Sequence, residues 1–370
     1  MTAGHAAEIA ALEAEVTRLL SAFAAAGATR VAPDALQPAQ TLLDLYGEDI
    51  RARAYTTHDP VLGERMLRPD FTVPVARQYL ATGAAEARYC YAGPVWRRQE
   101  PGSDRPAEYL QAGIELFGAA DAAAADAEIF ALIAGLLDGR ELTVATGDIG
   151  ILIAAVEALP ISTRRRAALR RHIWRPARFQ ALLASFVDPP APSETRRKVL
   201  AAVAAHQAEA LVTEAGPEHG LRSPAEIVER LQALAEAAEE PPLDPHYRDL
   251  LDRLLAVRAP SAEALATMRR LARDLPGLDP ALDRLDARLQ ALSDHGIDAA
   301  TLPFEASYGR TSLEYYDGFV FGFLSTEAGR ASPVASGGRY DTLIAVLAAD
   351  GRPIPAIGAI IRPGAVASDP

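Results

Sequence analysis

Cysteine is almost missing: Cys90 is the only one in 370 residues. One thiol excludes an internal disulfide and any cysteine-based zinc cluster, and it suits a reducing compartment. Long hydrophobic runs are also missing. No stretch reaches the roughly 18 uninterrupted apolar residues of a membrane span, so no membrane association is expected. The opening MTAGHAAEIAALEAEV carries Glu8, Glu13 and Glu15 and no apolar run, so it does not read as a signal peptide. A cytoplasmic location follows as the expectation. Positive charge is in deficit, with a net charge of −12. Phosphate binding relies on dense Lys and Arg, which weighs against a tRNA-binding role. The seven histidines show no metal-ligand spacing, and no Ser-His-Asp grouping stands out. Ser336-Gly337-Gly338 is not followed by the GK[ST] of a P-loop. No metal and no cofactor are expected.

Apolar residues make up 49% and charged residues 23% of the chain, an ordinary composition for a protein with a real core. The length allows one large domain, or a core with an inserted domain. Residues 6–26 have apolar positions at helical spacing (Ile9, Leu12, Val16, Leu19, Leu20, Phe23) and a natural stop at Gly27. Residues 87–96 and 110–118 read as two strands of a long antiparallel hairpin around the polar QEPGSDRPAE. Asp121 caps a following helix that ends at Gly139. From about 150 to 300 the composition shifts to Ala, Leu, Glu and Arg and strand signals fade. Ser223-Pro224-Ala225-Glu226 is a capping box with Pro at the first helical position. Strand patterns return at 312–324 and 332–338, then a short helix and an apolar tail at 354–364. The expectation is an α+β fold, an antiparallel sheet flanked by helices with a helical insertion. The parts are a core over 1–145, an insertion over 146–300 and a core over 301–370.

Several segments carry candidate chemistry. LRPDFTVPVAR (67–77) packs a carboxylate, a hydroxyl and two guanidiniums together. In an extended run Asp70 and Thr72 share a face and would hold an ammonium; otherwise Asp70 caps a helix over 71–80. Arg97-Arg98-Gln99-Glu100 sits at the hairpin mouth, either as an anion contact or as a solvated tip. Gln111 and Glu115 share one strand face, lining a polar pocket or facing water. Of Tyr315 and Tyr316, one is expected to face inward. Ser336-Gly337-Gly338 reads as a turn that permits close backbone approach, leading through Arg339-Tyr340-Asp341 into a helix. The run Arg164, Arg165, Arg166, Arg170, Arg171 is a solvated helix face or a docking surface for an acidic partner.

Together and in this order, these segments resemble the catalytic core of histidyl-tRNA synthetase, a class II aminoacyl-tRNA synthetase. LRPDFTVPVAR is similar to that family's LRPE-x-T segment. YAGPVWRRQEP and YLQAGIELFG resemble its motif 2 hairpin, SLEYYDG its GLDYY segment, and ASGGRYD its AGGRYD. The likeness covers about 1–145 and 300–365. It implies that Asp70, Thr72, Gln111, Glu115, Tyr316 and Tyr340 contact free histidine, and that Arg97 binds the carboxylate.

The departures lie on the phosphate side. Gln99 stands where motif 2 has Glu. Aligning Glu314-Tyr315-Tyr316 on the family's Asp-Tyr-Tyr puts Thr311 at the position of a charge-stabilising arginine, with Arg310 one residue off and so on the opposite face of a strand. The motif 3 arginine falls at Ala365, and Pro363 is expected to disrupt the helix start there. Removing one preorganised donor typically costs about 10²–10³-fold in rate, so catalysis should be lost. The chain ends within 29 residues of Asp341, which leaves no room for the synthetase's C-terminal anticodon-binding domain. The paralogues with these properties are the regulatory subunits of short-form ATP phosphoribosyltransferase. The resemblance implies a non-catalytic chain in the first step of histidine biosynthesis, self-associating as a dimer and paired with a short catalytic subunit. The alternative is a standalone histidine-adenylating or amino-acid ligase paralogue.

Overall fold

The computed structural model describes residues 3–40, 52–100, 102–103, 105–216, 220–311, 315–327, 330–348 and 350–367. Helix α1 (Ala3–Ala25) ends at Gly27, whose φ of 85° suits glycine. Its Leu19 and Phe23, four residues apart, enter the main apolar core beside Cys90 and Ile114. Short strands β1 (Thr29–Arg30), β2 (Leu36–Pro38), β3 (Thr56–Asp59) and β4 (Gly63–Leu67) follow. Then come α2 (Thr72–Thr82), the hairpin β5 (Ala87–Trp96) and β6 (Glu108–Phe117), and α3 (Ala122–Leu136), whose cap is the Asp121 side chain accepting from Ala124 N–H at 3.0 Å. β7 (Thr143–Asp148) and α4 (Ile149–Ala158) complete this part.

The chain folds into two compact units. One comprises Leu159–His172 and Pro176–Leu251, and the other the remainder. The smaller unit is helical: α5 (Thr163–Arg171), α6 (Pro176–Val187), α7 (Glu194–Ala204), α8 (Ala208–Glu214), α9 (Pro224–Glu239) and the first part of α10 (Pro245–Leu255). Ser223 and Glu226 form the capping box at α9. Three arginines of α5 bind neighbouring backbone rather than water alone. Arg165 donates to the Pro241 carbonyl at 2.7 Å and pairs with Glu240, Arg166 reaches the carbonyls of Leu159 and Ile161, and Arg164 reaches that of Ala233.

The larger unit resumes with β8 (Arg258–Pro260), α11 (Ser261–Ala272) and α12 (Asp279–Asp294). The helix-rich stretch at 146–300 is therefore shared between the units. α12 belongs to the larger one because Leu292 joins its core and Arg288 pairs with Asp126 of α3. β9 (Pro303–Glu305), β10 (Phe319–Glu327), β11 (Arg330–Arg339), α13 (Asp341–Leu347), β12 (Ala356–Ile361) and α14 (Pro363–Ala367) close the chain.

Nine strands form one sheet in the order β1-β5-β6-β12-β11-β10-β7-β9-β8. β5 through β7 pair antiparallel throughout, as expected, while β1 on β5 and β9 on β7 are parallel. β2, β4 and β3 form a separate antiparallel sheet. Three local expectations change. Of the strand expected over 312–324, residues 312–314 lie outside the described residues, 315–318 are turn or irregular backbone, and the strand begins at Phe319. Gly337 and Gly338 lie inside β11 rather than in a turn. Pro363 does not disrupt a helix; it opens α14, at a position where proline's missing N–H has no helical partner to lose.

Candidate functional site

Glu115 is the centre of a cavity of about 300 Å³ on the sheet. It sits in β6 opposite Gly358 of β12, and a side chain at 358 would place its Cβ 1.5 Å from Glu115 Oε2. The carboxylate therefore occupies the space a β-carbon would fill. It accepts three hydroxyl hydrogen bonds: Thr72 at 3.0 Å and Tyr91 at 2.8 Å to Oε1, and Tyr340 at 2.5 Å to Oε2. Burial penalises the charged form and pushes Glu115 up to about 7; the three donors oppose this, and nearby Asp70 adds to it. The phenols of Tyr91 and Tyr340 are held well above their usual range, chiefly by burial and then by the Glu115 charge.

Asp70 and Thr72 come together through a turn rather than an extended strand. Thr72 is the first residue of α2, and its N–H donates to Asp70 Oδ1 at 3.1 Å. Asp70 thus serves the helix start and lines the cavity at once. Of the two arginines in this segment, Arg77 is exposed. Arg68 is structural, with its guanidinium over the Phe71 ring at 4.0 Å and bonded to the carbonyls of Pro94 and Pro33. Phe71 in turn stacks on Tyr91 at 4.3 Å. Gln111, four residues from Glu115 on the same strand face, is buried, and its Oε1 has no hydrogen-bond partner.

Both Tyr315 and Tyr316 are buried and line the cavity, which corrects the expectation that one would face away. That expectation assumed strand alternation, and these residues precede the strand. The Tyr315 hydroxyl donates to Thr72 Oγ1 at 3.4 Å. A β-carbon at Gly338 would lie 2.7 Å from the Tyr316 ring, so the glycine pair does permit close approach, of a side chain inside the fold. Glu314, used to align this segment, lies outside the described residues. Arg310 sits in a turn, buried, and donates to the Ile173 carbonyl at 2.8 Å; it is not among the cavity-lining residues.

Tyr340 is held from behind by buried charges. Arg339 donates to Asp126 at 2.9 Å, to Asp341 at 2.8 Å and to the Ala122 carbonyl at 3.0 Å. Arg288 completes the set on Asp126 at 3.2 Å and Asp148 at 2.7 Å. Asp317 accepts from the N–H groups of Asp341 and Thr342 at the start of α13, and burial raises it to about 6.

Beyond the carboxylates the cavity adjoins a second space of about 500 Å³. Arg53, Arg97, Arg105 and Arg362 line both. Arg97 Nε donates to the Pro69 carbonyl at 2.9 Å, anchoring its guanidinium at the boundary. Gln99 and Ala365 line the outer space and Thr311 the inner one. The amide of Gln99 is spent on the hairpin: it donates to the carbonyls of Arg97 and Pro106.

Asp70, Thr72, Arg97, Gln111, Glu115, Tyr316 and Tyr340 all line the inner cavity. Sequence reasoning missed Tyr91, Tyr315 and three of the four arginines. Tyr91 had a signal in the glycine opposite it: a Cβ at Gly113 would lie 2.5 Å from its hydroxyl. Chemically, the carboxylates of Glu115 and Asp70, the Gln111 amide and the guanidiniums that line the cavity suit a small molecule with N–H donors and an anionic group. Among the described residues no group of three or more His, Cys, Asp or Glu could hold a metal ion, and no helix is long and apolar enough to cross a membrane.

Comparison with known proteins agrees with this architecture. The family model described as histidyl-tRNA synthetase matches residues 4–241 and 226–366. A crystal structure described as an ATP phosphoribosyltransferase regulatory subunit/histidyl-tRNA synthetase from Bacillus halodurans superposes with a TM-score of 0.67 at 20% identity, covering 98% of this chain and 79% of that one. Histidyl-tRNA synthetase from Nostoc superposes with a TM-score of 0.61 at 16% identity, covering 98% and 71%. These establish the fold. In sequence, the ATP phosphoribosyltransferase regulatory subunit of Agrobacterium fabrum is 38% identical over 356 residues, covering 92% of each chain. That of Mesorhizobium japonicum is 35% identical over 362 residues, covering 94% of each. On this near full-length similarity, the chain belongs to the family of ATP phosphoribosyltransferase regulatory subunits, built on the histidyl-tRNA synthetase catalytic fold.

Proposed function

We propose that this chain is the non-catalytic regulatory subunit of an ATP phosphoribosyltransferase, acting at the first step of histidine biosynthesis. It activates a short catalytic chain and carries histidine feedback. The observation behind this reading is the similarity along 92% of the chain to proteins of that name. The pocket supports it by its asymmetry. The carboxylates, Gln111 and the tyrosines that would receive an ammonium and an imidazole line the inner cavity, while Thr311 and Ala365, the positions that the resemblance aligns with synthetase arginines, carry no charge.

In the proposed complex Asp70 and Thr72 hold the ammonium of free histidine, Arg97 its carboxylate, and Gln111, Glu115, Tyr316 and Tyr340 the imidazole end. Feedback requires the pocket to differ in histidine affinity between two states of the assembly. The chain self-associates as a dimer in the cytoplasm, and tRNA is not a ligand. The test mixes purified chain with a short-form catalytic subunit and follows ATP and phosphoribosyl pyrophosphate turnover, with and without histidine. Stimulation by this chain is expected, and its absence would overturn the proposal.

A further inference from the structure

Tyr340 stands at the N-cap of α13. Ser, Thr, Asp or Asn is preferred there, because a short side-chain oxygen accepts from the first helical N–H groups. Tyr340 makes no side-chain cap bond; its hydroxyl is donated to Glu115 instead. The next side chain does not substitute, since the Asp341 carboxylate is engaged by Arg339 and by Ala356 N–H. The cap comes from a separate segment. Asp317, 24 residues before Asp341, accepts from Asp341 N–H at 3.1 Å and from Thr342 N–H at 2.5 Å. Its own N–H donates to the Arg339 carbonyl at 3.0 Å. Asp317 therefore bonds to the residues on both sides of Tyr340 and itself directly follows Tyr316.

The two segments are packed tightly where this joint forms. A β-carbon at Gly318 would lie 2.9 Å from Arg339 Cδ, and one at Gly338 would lie 2.7 Å from the Tyr316 ring. The Tyr315 ring meets both neighbours edge-on, 4.9 Å from Tyr316 and 5.9 Å from Tyr340. Asp317 is not among the residues lining the cavity, so it acts there only through others. A preference broken at the cap and restored from a distance points to a second use for the capping position. We propose that Asp317 is a positioning residue for histidine. By capping α13 in place of Tyr340 it frees that hydroxyl for Glu115 and fixes the Tyr316 and Tyr340 rings in one arrangement around the imidazole. The inference rests on the histidine-pocket reading above and adds to it a residue that does not touch the ligand.

The test uses the full chain and calorimetry with histidine in a double-mutant cycle: wild type, Asp317→Ala, Tyr340→Phe and the two together. Asp317→Ala is expected to raise the histidine Kd about tenfold, as the loss of a hydrogen bond to a charged group does. With Tyr340→Phe already present it is expected to raise Kd by less than about threefold, because the bond it positions is gone. A general loss of stability produces no such coupling. The same factor in both backgrounds, or no change in either, overturns the positioning role and leaves the histidine pocket standing. No histidine binding by the wild-type chain overturns both. Hydrogen exchange on the wild-type chain decides the matter if Asp317→Ala does not fold. Histidine is expected to slow the amides of α13 at least about tenfold, and unchanged exchange there overturns the proposal.

Discussion

Replacing Glu115 with Gln perturbs the pocket at the atom where its hydrogen bonds converge. Burial pushes the Glu115 carboxyl up to about 7 from the ordinary 4.5, because it favours the neutral acid. An acid whose pKa is raised on folding holds its proton more tightly in the native state. Its stabilising share is complete below 4.5 and is lost as pH rises through about 7. At 1.36 kcal/mol per decade, that interval corresponds to roughly 3 kcal/mol. Glu115→Gln cannot titrate and lacks this decline. It also turns an acceptor of three hydroxyl bonds into a half-donor and removes the charge opposite an imidazole, so histidine affinity should fall by about 2 kcal/mol, or about thirtyfold in Kd. Urea unfolding between pH 5 and 8 reads the first effect, and calorimetry with histidine at pH 7.5 reads the second. Equal loss of stability with rising pH in variant and wild type would refute the assignment of the titration to Glu115. Unchanged affinity would place histidine elsewhere, such as a subunit interface.

Gly358→Ala puts a β-carbon 1.5 Å from Glu115 Oε2; it should cost about 1–3 kcal/mol in urea unfolding and abolish calorimetric histidine binding by displacing the carboxylate. Arg288→Ala leaves Asp126 and Asp148 buried without their shared cation, so a loss of about 3–5 kcal/mol in unfolding free energy is expected. A loss below about 1 kcal/mol would mean that water reaches the pair. Pyrophosphate–ATP exchange with histidine should stay at background, and a clear histidine-dependent signal would overturn the roles given to Thr311 and Ala365.

Elements governed by neighbours along the chain were legible in the sequence. The Ser223/Glu226 box, the Asp121 cap and the Gly27 stop depend on side chains one to three residues away, and each stands where the sequence put it. The hairpin of β5 and β6 was readable because strand period and turn composition are local too. Tyr315 was misjudged because alternation predicts a side chain's direction only inside a strand, and β10 starts four residues later.

By itself, the sequence determined the fold family and many of the residue types of the pocket, because the motifs that carry them are short, contiguous stretches of chain. The tertiary structure alone decided what those residues do to one another. Glu115 is raised to about 7 because packing buries it away from water, against the opposing hydrogen bonds of Thr72, Tyr91 and Tyr340, which come from 43, 24 and 225 residues away. Likewise Arg53, Arg105 and Arg362 meet Arg97 at one mouth only after β12 is placed beside β6. Desolvation and proximity belong to the packed arrangement, so no spacing along the chain contains them.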